Sequence, residues 1–254
     1  MSENQAVEAD QIPRSIALLW GLGQPARRGP KGGLSVERIT LAAIEVADAE
    51  GLAAVSMARV ARQLGAGTMS LYRYVASKDE LLLLMSDAAL TDPPAPPSAA
   101  NWRDGLRHWG CSVLTELRRH SWYVQIPLAG PPTGPRNLAW FDAGLRTLDT
   151  TSLTAGEKVA SVMTLITYVQ GEVRLTAELV AAEAAGSRSG EEAFGRTIAS
   201  LVDPVRFPAL SAAVAAGVFE DARPADDQVG DDVRAAMEII LDGIEALIDR
   251  RSRG

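Results

Sequence analysis

The stretch Ser56-Met57-Ala58-Arg59-Val60-Ala61-Arg62-Gln63-Leu64-Gly65-Ala66-Gly67-Thr68-Met69-Ser70-Leu71-Tyr72-Arg73-Tyr74-Val75 decides the fold. Ser56 is an N-cap residue, and Val60, Ala61 and Leu64 recur at helical spacing until Gly65, which permits a sharp turn. A second helix is expected from about Thr68 to Val75. Ala61 is small where two helices cross closely, and Val60, Leu64 and Leu71 fill the space between them. This is the residue pattern of a helix-turn-helix. Thr68, Met69, Ser70, Tyr72 and Arg73 then face outward, where hydroxyls bond bases or phosphates and a methionine meets a thymine methyl. Tyr74 joins Tyr72 and Arg73 within reach of the backbone. The competing reading is an ordinary αα-corner that serves only in packing.

The flanks extend the helical pattern. Ser35 caps an expected helix over 36–50 that carries Val36, Ile39, Ala43, Val46 and Ala47 and ends at Gly51. Ser77 with Glu80 forms a capping box for a helix bearing Leu81, Leu82, Leu84 and Met85. Pro93, Pro94, Pro96 and Pro97 stop any helix between Thr91 and Ala100, so a domain junction is placed there. Beyond it, helices are expected at about 101–120, 136–149, 154–185, 191–201, 205–217 and 231–251. Ala185–Glu192 and Glu220–Asp232 read as mobile loops. No strand pattern competes.

Of 254 residues, 47% are hydrophobic and 22% charged, the balance of an ordinary globular protein. The net charge of −7 argues against a nucleic-acid partner until it is resolved along the chain. Residues 27–78 hold Arg27, Arg28, Lys31, Arg38, Arg59, Arg62, Arg73 and Lys78 against Glu37, Glu45, Asp48 and Glu50, a local balance of +4. Residues 86–254 hold 16 basic and 23 acidic residues, a balance of −7. That asymmetry suggests two tasks in one chain and favours DNA at the basic end. The lone cysteine, Cys111, cannot bridge internally, which fits a reducing compartment. The start of the chain lacks a signal-peptide pattern, and no run approaches the ~18 apolar residues of a membrane span. A cytoplasmic protein with no membrane partner is expected.

The residues also resemble a known family. Glu50-Gly51-Leu52, Ser56-Met57, Val60 to Gly65, Ser70 to Val75 and Ser77 to Leu81 occur in the order and spacing of the DNA-binding domain of TetR-type transcriptional regulators. The resemblance spans about residues 33–90. It continues more weakly over 100–250, which looks like the tetracycline-repressor-like C-terminal domain. It implies an all-α fold in three parts. Residues 1–33 form a flexible basic arm, 34–92 a helix-turn-helix DNA-binding domain, and 93–254 an effector-binding and dimerisation domain. It also implies a homodimer on a palindromic operator, released by a small molecule. Carried over, Ser56 and Met57 start the supporting helix against the DNA backbone. Thr68, Met69 and Ser70 read bases, and Tyr72, Tyr74 and Lys78 contact phosphates or sugars. Ala58 stands where tetracycline repressors have a base-reading arginine, which puts their operator sequence in doubt here. Arg27, Arg28 and Lys31 form a separate basic arm that can lie along phosphates or enter the minor groove.

For the effector, Trp109, Trp122, Tyr123, Gln125, Asn137, Trp140, Phe141, Met163, Thr167, Tyr168 and Gln170 supply apolar walls and a few polar groups. Pro127 is the best local match to the histidine that holds drug-bound magnesium in tetracycline repressors, so an apolar or aromatic effector is expected instead. No metal or cofactor is expected. The dimer interface is assigned to the apolar stripe on 231–251, Val233, Met237, Ile240, Leu241, Ile244, Leu247 and Ile248, with part of 154–185. No phosphate loop, HExxH, CxxC or GxSxG motif occurs, so no enzyme is expected. The rival class is an all-helical small-molecule binding protein without DNA-binding activity.

Overall fold

A computed structural model describes residues 12–22, 33–95, 101–127, 133–184, 197–219 and 225–253. All regular structure among them is helical. The N-terminal part holds α1 (Arg14–Leu19), α2 (Val36–Glu50), α3 (Met57–Gln63), α4 (Thr68–Leu71) and α5 (Lys78–Ala88). Ser35, Ser56 and Ser77 cap as expected: their hydroxyls accept from the backbone N–H groups of Arg38 (3.1 Å), Arg59 (3.2 Å) and Glu80 (3.0 Å). Gly65, at φ +64°, closes α3 with paired bonds from Gly65 N–H to Arg62 O and from Ala66 N–H to Ala61 O. Ile39, Val46, Val55, Val60, Leu71, Val75, Leu81 and Met85 fill the core beneath. The expected helix over 68–75 is regular only to Leu71; the N–H groups of Tyr74 and Val75 still return to Leu71 O.

The C-terminal part holds α6 (Trp102–Arg119), α7 (Pro135–Arg146), α8 (Ala155–Ala184), α9 (Pro208–Ala215) and α10 (Ala225–Arg253), with a helical stretch at 197–201. Residues 91–95 carry no helix, as the prolines require. The expected loop over Glu220–Asp232 is helical from Ala225 onward. The expected loop at 185–192 lies outside the described residues.

Leu106, Trp109, Leu148, Val162, Leu165, Val169, Val233, Met237 and Leu241 form the second core, where α6 crosses α8 and α10. At Gly144 an added Cβ would stand 2.8 Å from the Trp109 ring and 3.1 Å from Val162, so only glycine lets α7 come this close. The structure corrects the reading of the α10 stripe. Val233, Met237, Leu241 and Ile244 are buried inside the subunit, because α6 and α8 already cover that face. α1 was not expected within a flexible arm over 1–33. It packs Leu18 and Leu19 on the first core and is held there by Arg14.

Candidate nucleic-acid interface and effector domain

The outer face of the helix-turn-helix rests on a rigid underside. Leu71 and Val75 are wholly buried, while Met69 is 77% and Tyr72 44% exposed. Arg73 and Lys78 are exposed, and neither makes an ion pair among the described residues. Thr68 and Ser70 are half-buried at the start of α4. Arg59 is turned inward instead: it binds Glu50 (2.5 Å) and Gln63 (3.0 Å), ties α3 to α2, and holds the Glu50 carboxyl below the usual carboxylate range. Ser56 is exposed as cap. Met57 is corrected: its side chain is 6% exposed and packs into the core, because the first turn of α3 faces α2 at that position. Tyr74 is half-buried against the same core. Arg27, Arg28 and Lys31 lie outside the described residues.

Two carboxylates on α5 tie this face to its surroundings. Glu80, buried, accepts both Nη1 bonds of Arg14 at 3.0 Å and a bond from the Ala76 N–H. Arg14 also donates to Tyr74 O at 3.2 Å, so α1 clamps the segment that follows α4. Two turns on, buried Asp87 accepts the backbone N–H groups of Arg136 and Asn137, each at 3.0 Å, and so caps α7 from α5. Tyr123 donates to Asn137 Oδ1 at 2.9 Å; burial and the nearby Asp87 charge push its hydroxyl up to about 12. Sequence reasoning missed Arg14 and Asp87. Glu80 was legible as a cap, and its place on the same face as Leu84, four residues on, was a sign of burial.

Among the described residues, the eleven expected effector residues do not line one shared cavity. Trp109 plugs the second core and donates to Trp140 O (2.9 Å), while Trp140 donates to Thr91 O (2.8 Å). Trp122 packs into the first core and donates to Asp48 (2.5 Å). Phe141 and Tyr168 pack at the edge of the second core, and Gln170 is half-buried. Gln125, Met163 and Thr167 are exposed. Trp140 alone borders a groove of about 380 Å³, with His108, Cys111, Thr115 and Glu116. Among the described residues, no cluster of His, Cys, Asp or Glu is placed to hold a metal, and no helix is long and apolar enough to cross a membrane.

A helix-turn-helix with an outward, cation-flanked face on a larger helical body defines a class, the DNA-binding transcriptional regulators. Residues 39–85 match the family described as bacterial regulatory proteins, tetR family, and residues 93–248 match the tetracyclin repressor-like C-terminal domain. The chain belongs to the TetR family. It is 36% identical over 247 residues to the HTH-type transcriptional repressor DrrR1 of Streptomyces coeruleorubidus, across 94% of this chain and 88% of that protein. It is 26% identical over 162 residues to the class C tetracycline repressor protein of Escherichia coli, across 63% of this chain and 72% of that one. Streptomyces coelicolor ActR, solved in complex with actinorhodin, aligns with a TM-score of 0.67 at 26% identity, over 84% of this chain and 98% of ActR.

Proposed function

We propose that the protein is a repressor that holds a palindromic operator as a homodimer and leaves it when a small apolar or aromatic molecule occupies the C-terminal domain. The observation that carries this reading is the exposed Met69, held out by a segment whose opposite face, Leu71 and Val75, is wholly buried. A rigidly presented apolar side chain beside Ser70 and Thr68 suits a major groove that displays thymine methyls and hydrogen-bonding edges. Arg73 and Lys78 supply the phosphate contacts. The relationship to DrrR1 over nearly the whole chain supports repression, and the ActR complexes with actinorhodin and (S)-DNPA support a small organic effector.

A second copy suits the remaining bare face of α10, where Ala235, Ile239, Gly243 and Ala246 are exposed and Ile239 is 73% so. Two such faces, joined by the outer side of α8, would form a four-helix bundle. Release follows when the effector favours a spacing of the two recognition segments that no longer fits successive major grooves, a coupling of ~1 to 3 kcal/mol. Selection of bound DNA from a random pool should return a two-fold symmetric site whose affinity falls steeply with salt. Asymmetric sites, or binding indifferent to salt, would overturn the reading.

A further inference from the structure

Between the two cores lies a cleft of about 390 Å³ that none of the eleven expected effector residues lines. One wall is apolar: Leu41 and Ile44 of α2, with Ala89 and Leu90 at the end of α5. Leu41 is 48% exposed on a helix whose inner face is otherwise buried, so it meets the cleft without a partner. The other wall carries Arg119, from the end of α6, and Arg136, from the start of α7. Among the described residues the Arg136 guanidinium uses only Nη1, which donates to Ala88 O (2.8 Å) and Leu90 O (3.1 Å). Arg119 pairs with Glu116 at 3.6 Å, beyond hydrogen-bond distance.

The neighbouring acids are already engaged. Glu116 accepts the Thr91 N–H (2.8 Å), and Asp48 takes Trp122 Nε1 and His120 Nδ1 (2.7 Å). Two guanidinium groups thus keep donors open toward an apolar wall, with Asp92 and the Glu116 carboxylate beside Arg119 as the opposing charges.

We propose that this cleft binds an amphipathic organic monoanion, its hydrocarbon body on Leu41 and Ile44 and its carboxylate or sulfonate between Arg119 and Arg136. A neutral molecule leaves the guanidinium donors unanswered, and inorganic phosphate leaves the apolar wall wet. Asp92 disfavours a second negative charge. The volume is within the range of organic ligands, roughly 300 to 1,000 Å³. An occupant joins the DNA-binding part to the effector part directly, through the guanidinium that also holds Ala88 O and Leu90 O at and just beyond the end of α5. That consequence for DNA rests on the repressor reading; the binding does not.

The test uses the full chain without DNA and 8-anilinonaphthalene-1-sulfonate, which fluoresces in apolar surroundings. Its uncharged counterpart N-phenyl-1-naphthylamine serves as control. Combined Arg119→Gln and Arg136→Gln should raise the Kd of the sulfonate about tenfold or more and leave the uncharged probe within about twofold. Leu41→Glu, at an exposed position that leaves the core intact, should weaken the sulfonate by a similar factor. Circular dichroism checks each fold, and if the arginine pair fails to fold, Leu41→Glu decides alone. Sulfonate affinity within about twofold of the parent in every folded variant overturns the proposal, whatever the protein does with DNA.

Discussion

On the repressor reading, Ser70 and Lys78, eight positions apart, are assigned different tasks. Ser70 sits on α4 beside the exposed Met69, and Lys78 opens α5 with no ion pair among the described residues. Ser70→Ala should relax discrimination among operator variants, at the low end of ~1 to 3 kcal/mol, because one hydroxyl makes no bidentate contact. Lys78→Ala should weaken all sequences alike and reduce the salt slope by about 1. Competition binding against single-base variants separates the two, and a change of preference with Lys78→Ala alone would reverse the roles. The residue types were legible here because caps, turns and small crossing residues are local constraints. They were not legible for the tryptophans. An indole that lines a pocket and one that pegs two helices together through its N–H have the same sequence signature, and only the fold brings Trp109 to Trp140 O and Trp122 to Asp48.

Helix boundaries follow from the sequence where a cap marks them, as at Ser35, Ser56 and Ser77, and from periodicity in α6, α7 and α8. α1 escaped notice because six residues are too few to show a period, and its hold comes from Arg14 on a carboxylate 66 positions away. The α10 stripe was visible, but not which neighbour would cover it. α6 and α10 are also laced by charge: Arg107 and Arg103 both bind Glu238 and hold its carboxyl at about 2, against burial that opposes the shift. A carboxyl depressed in the folded state stabilises above its unfolded value near 4.5 and loses that contribution as pH falls toward 2. Glu238 is 40% exposed, so solvent screening limits the contribution to about 1 kcal/mol. Urea unfolding at pH 7 and at pH 3 should show Glu238→Gln less stable than the parent at pH 7, with the gap narrowing at pH 3. An equal gap at both would remove Glu238 from the acid response.

On the scale of the whole molecule, the net charge of −7 joins a basic reader of DNA to an acidic body, and α5 is the member they share. Glu80 fastens its start to α1 and Asp87 fastens its end to α7, so α5 is tied at both ends. The prolines at 93–97 are where the sequence places a domain junction, but the packing does not divide there. Trp122 comes from the far side of that junction and is 2% exposed within the first core, its N–H on Asp48 of α2. Trp122→Ala should therefore cost the operator-reading part ~3 to 5 kcal/mol, a large share of a typical ~5 to 15, although the residue touches no base. Calorimetry of the full chain checks this, and an unchanged melting temperature would refute it. For anyone building hybrid sensors, the reader is not a detachable cartridge: a foreign body grafted at the prolines must bring its own indole to the socket beside Asp48, or the graft starts with a hole in the half that was meant to be kept.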